Sequence, residues 1–175
     1  MITTVVYLAD LQAYEEGYYV ARRVELPISD EEYVNIRSEV LTEGEHVTGT
    51  EDHEELCILD YEGVWDIMSD DDFDEVNEIA GALASLDTDE ENILDYLIGY
   101  EGFEISDALD KIYQVVKVSG DYGDVAAKLY DEQYFGDTSC ISDSIRNAID
   151  WDELGSDLRH EGWTQFGDFT YYFDN

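Results

Sequence analysis

The side chains with the greatest chemical reach in this 175-residue chain are its carboxylates, 45 Asp and Glu against 8 Lys and Arg. Paired carboxylates can act as general acid and base, clustered ones can hold a hard cation, and ones beside histidine can ligate zinc. Each chemistry demands a spacing. Asp70-x-Asp72-x-Asp74 opens like a calcium loop, but Glu75 stands at the sixth position, where the turn needs glycine, and Gly81 at the twelfth, where the bidentate glutamate belongs. His53-Glu54-Glu55-Leu56-Cys57 lacks the second histidine of a zinc-binding helix, and His46 and His160 read as a loop and a helix end, so all three histidines are expected at the surface. No phosphate-cradling G-x-x-x-x-G-K-S/T, no G-x-G-x-x-G and no G-x-S-x-G is present, and Lys111, Lys117 and Lys128 have no Asp and Glu-x-Lys of the nuclease type beside them. A glycosidase-like pair is defined by separation in space, which 45 candidates can meet by chance. The expectation is a protein that is not an enzyme, without catalytic residues, bound metal or cofactor.

If the carboxylates do no chemistry, their distribution matters more than their spacing. Residues 1–62 hold 16 acids and 3 bases, residues 63–119 hold 16 and 2, and residues 120–175 hold 13 and 3, so the formal charge of −37 is a coat and not a tail. By the usual scaling a globule of this mass exposes roughly 8,700 Å², about one carboxylate per 190 Å². Nucleic acid, anionic membranes and phosphorylated ligands are excluded as partners by repulsion. Charge alone argues for disorder, but 44% hydrophobic residues, 13% aromatics and a single proline supply a core. No apolar run is long enough to span a membrane and the N-terminus has no basic stretch followed by an apolar one, so a soluble, intracellular protein is expected. Cys57 and Cys140 read as buried free thiols.

The elements that must carry this coat follow from periodicity. Residues 3–9 read as a strand, Asp10 caps a short helix stopped at Gly17, residues 18–26 are extended, and Ser29 with Glu32 forms a capping box for a helix to Leu41 that ends at Gly44. A polar loop over 43–54 leads to a strand at 55–61. From Ser69, read as the next cap, Phe73, Val76, Ile79, Ala80, Leu83 and Leu86 form one helical stripe. Thr88 and Glu91 box a second helix ending near Gly99, and a third runs from Ser106 to Ile112. Beyond it come a strand at 113–118, a helix from Asp121 or Asp124 to Gln133, a short helix at 142–148, a helix capped by Asp150, and a hairpin turning at Gly167-Asp168. The predicted fold is α+β and elongated, in three small modules: residues 1–62, a three-stranded sheet with helices; 63–112, helical; and 113–175, again a three-stranded sheet with helices.

On the helix over 73–86 the acids oppose the apolar stripe. Asp71–Glu75 and Asp74–Glu78 are like-charge i,i+4 pairs, each destabilising an isolated helix by roughly 0.2–0.5 kcal/mol where a lysine would reverse the sign. Adaptation to molar salt is one explanation, and a surface that presents anions to a basic groove is another. A halophile's coat sits on a core poor in bulky residues, whereas this chain has 23 aromatics. A generic acidic binder of basic proteins such as nucleoid proteins is a further reading. A groove that binds duplex DNA is lined by Arg and Lys and reads spacing, not the chemical identity of the anion. Matching one charge per about 1.7 Å with 37 charges takes roughly 63 Å of duplex, longer than a sphere-like chain of this size. Partner-binding carboxylates are expected at Asp70, Asp71, Asp74, Glu75, Glu78, Asp87, Asp89, Glu90, Glu91, Asp95, Asp121, Asp124, Asp131 and Glu132. Trp163, Phe166, Phe169 and Tyr171, in an aromatic-rich C-terminal hairpin, are candidates for a dimer interface.

Three stretches carry a resemblance. Tyr7-Leu8-x-Asp10-Leu11-x-x-Tyr14-x-x-Gly17, Asp60-Tyr61-Glu62-Gly63 and Ile149-Asp150-Trp151-x-x-Leu154-Gly155-x-Asp157-Leu158, closed by Gly162, resemble in order and spacing the ArdA family of antirestriction proteins, carried by conjugative elements and phages. Trp151 and Ser156 stand where that family often has Tyr and Arg. The resemblance implies an elongated three-domain DNA mimic, a homodimer through its C-terminal domain. It also implies occupation of the DNA-binding groove of type I restriction-modification enzymes in the bacterial cytoplasm, with no cofactor.

Overall fold

The computed structural model describes residues 2–130 and 142–174. The expectations that fall on 131–141, among them Asp131, Glu132, Cys140 and the end of the helix at Gln133, lie outside the described residues. The chain is α+β, as predicted, and divides by contacts into two compact units, Met1–Asp89 and Glu90–Asn175.

In the first unit β1 (Thr4–Asp10), α1 (Leu11–Glu15), β2 (Ala21–Leu26), α2 (Asp30–Thr48), β3 (Leu56–Glu62) and α3 (Phe73–Ser85) follow one another. The sheet is antiparallel in the order β2-β1-β3, with Val6 opposite both Val24 and Tyr61 and a register shift between Tyr7 and Leu8. Strand alternation puts Val6, Leu8, Val24, Leu26 and Ile58 on one face, where Val76 and Ala80 of α3 and Tyr33 and Ile36 of α2 close the core. Tyr33 stacks on Phe73 at 4.2 Å. The Asn77 side chain accepts the Ile28 N–H at 2.8 Å and donates to its carbonyl at 3.0 Å, tying α3 to the start of α2.

Two expected helix ends move. The helix from Ser29 does not stop at Gly44 but runs to Thr48 and ends at Gly49, whose φ of 73° is the left-handed stop. Residues 43–48 are therefore helix, and His46 lies in its last turn, not in a loop. Gly44 is a packing residue: a Cβ there would overlap the Asp10 carboxylate. The cap of α3 is Asp72, not Ser69, because Asp72 Oδ1 accepts the N–H groups of Asp74 and Glu75 at 2.9 and 3.2 Å.

α4 (Thr88–Tyr96) enters the second unit and ends in a π-helical turn, Leu97–Glu101, stopped at Gly102. α5 (Ile105–Lys111), β4 (Val115–Ser119), α6 (Tyr122–Tyr130), α7 (Asp143–Arg146), α8 (Trp151–His160), β5 (Trp163–Phe166) and β6 (Phe169–Phe173) complete it. The second sheet is antiparallel in the order β4-β6-β5, with the expected turn at Gly167-Asp168. Val125 and Ala126 of α6 and Leu158 of α8 form one core cluster against Trp163. α6 and α8 approach so closely that a Cβ on Gly155 would lie 2.6 Å from the Tyr122 backbone, which gives this glycine of the C-terminal signature its physical reason. Asp150 caps α8 by accepting the Glu153 N–H at 3.1 Å, as expected. Among the described residues no helix is long and apolar enough to cross a membrane.

Candidate functional site

The carboxylates sit where helix geometry turns them outward. On α3 the sequence buries Val76, Ala80 and Leu83, so Asp74, Glu75 and Glu78 face solvent. These three fall within about 6 Å of helix axis, at 1.5 Å rise per residue. Asp70 and Asp71, in the turn before the helix, are exposed too, and Asp71 Oδ2 accepts the Met68 N–H at 2.7 Å. Asp87 and Asp89 are exposed at the start of α4, where Asp87 Oδ1 accepts the Asp89 N–H at 2.8 Å, while Glu90 and Glu91 are half-buried. In the second unit Asp95, Asp121 and Asp124 are exposed, and Asp121 caps α6 by accepting the Asp124 N–H at 3.0 Å.

Where the cations go decides how much of this charge survives. Arg22 meets Glu43 at 2.7 Å and Arg23 approaches Glu62 at 3.8 Å. Arg37 donates to the Glu54 carbonyl and Lys128 to the Ser119 carbonyl, at 2.5 and 2.6 Å. Lys111, Lys117 and Arg159 lie over the rings of Phe103, Phe169 and Tyr122. Among the described residues Asp70, Asp71, Asp74, Glu75 and Glu78 form no ion pair with Lys or Arg, and their charge is left to the solvent.

Of the four aromatic candidates of the C-terminal hairpin, Phe166, Phe169 and Tyr171 share one face of the sheet, and Trp163 lies on the other, against the α6–α8 cluster. Tyr171 is buried, stacks on Tyr96 at 4.4 Å with parallel rings, and donates to the Asn92 carbonyl at 3.2 Å. Phe166 meets Tyr96 edge-on at 6.2 Å, Trp163 leans on Tyr172, and Phe169 carries Lys117, all three half-buried. The π-helical turn lets the Tyr96 hydroxyl donate to Glu101, and burial together with this carboxylate pushes the Tyr96 phenol well above its ordinary range. Glu62 and Asp66 likewise raise Tyr7 and Tyr61, whose hydroxyls they accept at 2.8 and 2.7 Å.

One constellation went unforeseen. His53, expected at the surface, is buried, with its Nδ1 2.5 Å from Asp10 Oδ2 and its Nε2 3.2 Å from the Thr48 hydroxyl. Asp10 also accepts the Ala13 N–H at 2.9 Å as the cap of α1, so one carboxylate holds α1, α2's end and the approach to β3 together. The buried partners are 43 positions apart, and local pattern carries no signal for them. Cys57 is a buried free thiol, as expected, with its pKa raised by burial. Among the described residues no group of three His, Cys, Asp or Glu could hold a metal.

Carboxylate-rich helix faces on two small α+β units define an acidic protein whose described cations are largely held on rings, carbonyls and a few acids. The chain belongs to the ArdA family: the family model described as Antirestriction protein (ArdA) matches residues 6–173, nearly its whole length. Its function is thus antirestriction, and its interaction partners are restriction-modification enzymes. No curated protein matches the chain.

Proposed function

We propose that the chain inhibits restriction by DNA mimicry, competing with duplex for the DNA-binding groove of type I restriction-modification enzymes in the bacterial cytoplasm. The observation that carries this reading is the exposed row Asp70, Asp71, Asp74, Glu75 and Glu78, which no described Lys or Arg neutralises. Its density is of the same order as the duplex's one charge per about 1.7 Å. A basic groove that orders itself by phosphate spacing can close on such a row, and each contact releases counterions as DNA would. The three modules 1–62, 63–112 and 113–175, a division by make-up, carry net charges of −13, −15 and −9, so the mimic extends along the whole sequence. The reading includes a homodimer through residues 113–175, in which half-buried Trp163, Phe166 and Phe169 are the members of the aromatic set a second copy can reach.

Purified protein added to a type I enzyme is expected to inhibit both cleavage and methylation, and excess duplex to relieve both. Inhibition indifferent to competing duplex rules mimicry out. Tighter binding to a nucleoid protein than to the restriction enzyme, titrated in parallel, selects the generic acidic binder.

A further inference from the structure

Strand β3 is an outer strand of the first sheet, and its far side pairs with no other strand among the described residues. Such an edge presents N–H and C=O groups on which an extended chain can add as a further strand. The Leu11 N–H donates to the Glu55 carbonyl at 3.1 Å, so the alternation of an antiparallel ladder turns the backbone of Leu56 and Ile58 outward.

A cleft of about 570 Å³ lies against this end of β3, with residues 55–58 on one side and 69–74 on the other. That volume is in the range of ligand sites. Its lining is mostly polar, with Leu56 and Phe73 its half-buried apolar side chains and Leu8 and Ile58 buried, and no Lys or Arg contributes to it. The nearby Arg37 is engaged with the Glu54 carbonyl. Of the acids around the cleft, Asp71 and Asp72 accept backbone N–H groups, whereas the side chains of Glu55, Asp70 and Asp74 make no hydrogen bond or ion pair among the described residues. A second cleft of about 360 Å³ shares Glu55, Leu56, Cys57, Ser69 and Asp70 and continues over Leu11, Tyr14 and Leu59.

We propose that this edge and its clefts receive an extended, arginine-bearing segment of a partner protein, added to β3 as a fourth strand. The outward backbone groups of Leu56 and Ile58 bind its main chain. Its guanidinium groups meet Glu55, Asp70 and Asp74 over the Phe73 ring, and an apolar residue at the alternate position falls on Leu11 and Leu59. Charge complementarity selects the occupant: three uncommitted carboxylates beside an open ladder demand a cationic chain and repel an acidic one. This contact shares Asp70 and Asp74 with the acidic row assigned to mimicry, but it also reads backbone, which attraction by the coat does not.

The test titrates the full chain at 150 mM NaCl with three peptides: acetyl-Arg-Val-Arg-Val-Arg-amide, the same peptide methylated on every backbone nitrogen, and acetyl-Glu-Val-Glu-Val-Glu-amide. The first is expected to bind at least tenfold more tightly than the second, to slow amide exchange at residues 56–59, and to leave the third unbound. Equal binding of the first two, which carry equal charge, would mean that only the coat attracts them and overturns the proposal. So would absence of binding by the first, protection elsewhere in the chain, or comparable binding of the acidic peptide.

Discussion

The two units solve the same problem, a folded core beneath an acidic coat, with different materials. In the first, the core is aliphatic, Val6, Leu8, Val24, Leu26 and Ile58 with Ile67 and Val76, and two of its arginines lie against carboxylates. In the second, Tyr96, Tyr171 and Phe166 pack ring against ring, and Lys111, Lys117 and Arg159 rest on aromatic faces. A ring's negative face holds a cation without consuming a formal negative charge. Aromatic residues can therefore retain the few cations that a fold needs while leaving its carboxylates free to act outward. This is a physical use for 23 aromatics in so acidic a chain, besides filling volume.

The contrast breaks most visibly at the buried pair of the first unit. Asp10→Ala leaves His53 buried without its partner and removes the cap of α1, which is expected to cost about 3–5 kcal/mol. Amide exchange should rise across residues 4–62 and remain unchanged at 115–173. A uniform rise over both units would show that they unfold as one. The second unit has its own weak point in Gly155, where Gly155→Ala drives a methyl into the Tyr122 backbone at an expected cost of about 1–3 kcal/mol in denaturant melts.

These two sites also measure what the sequence disclosed. The α+β class, the two three-stranded sheets, the C-terminal hairpin, the caps at Asp10, Ser29 and Asp150 and the exposed acids of α3 were legible, since each follows from alternation, a 3.6-residue period, turn residues or a cap residue next to its helix. Gly155 was visible as a motif member, but its reason lies in the crossing of α6 and α8. The Asp10–His53 pair was illegible because it joins distant positions, and the same pair disguised Gly44 as a helix stop. The π-helical turn at 97–101 was missed because a single five-residue turn at a helix end is too short to show as a change of period.

A smaller effect sharpens the aromatic side of the comparison. Tyr96 is held protonated by burial and by Glu101, and its folded pKa lies above the ordinary 10.0. Stability from this phenol is fully present below pH 10, where both folded and unfolded forms are protonated, and is lost as pH rises through the folded value. Melting temperature is expected to fall on the alkaline side of pH 10. Tyr96→Phe should cost about 1 kcal/mol at neutral pH and flatten that alkaline limb. An unchanged limb would place the titrating group elsewhere.

The smallest effects separate the two ways of holding a cation. Arg23→Gln removes an exposed ion pair at 3.8 Å, with both side chains more than half exposed, and should cost under about 0.5 kcal/mol. Arg159→Gln removes a guanidinium 5.0 Å from the Tyr122 ring centre, worth about 0.5–1 kcal/mol. Both changes make the chain one charge more negative, so self-repulsion rises equally in each and cancels between them. Salt then distinguishes the remainder. Between 0.05 and 0.5 M NaCl the Debye length falls to a few ångströms, which screens an exposed charge pair but leaves the contact of a planar, weakly hydrated group with a ring largely intact. The Arg23→Gln deficit in melting temperature should vanish at high salt while part of the Arg159→Gln deficit persists. If both vanish together, the rings of the second unit hold their cations by charge alone, and the difference between the two units is one of composition and not of mechanism.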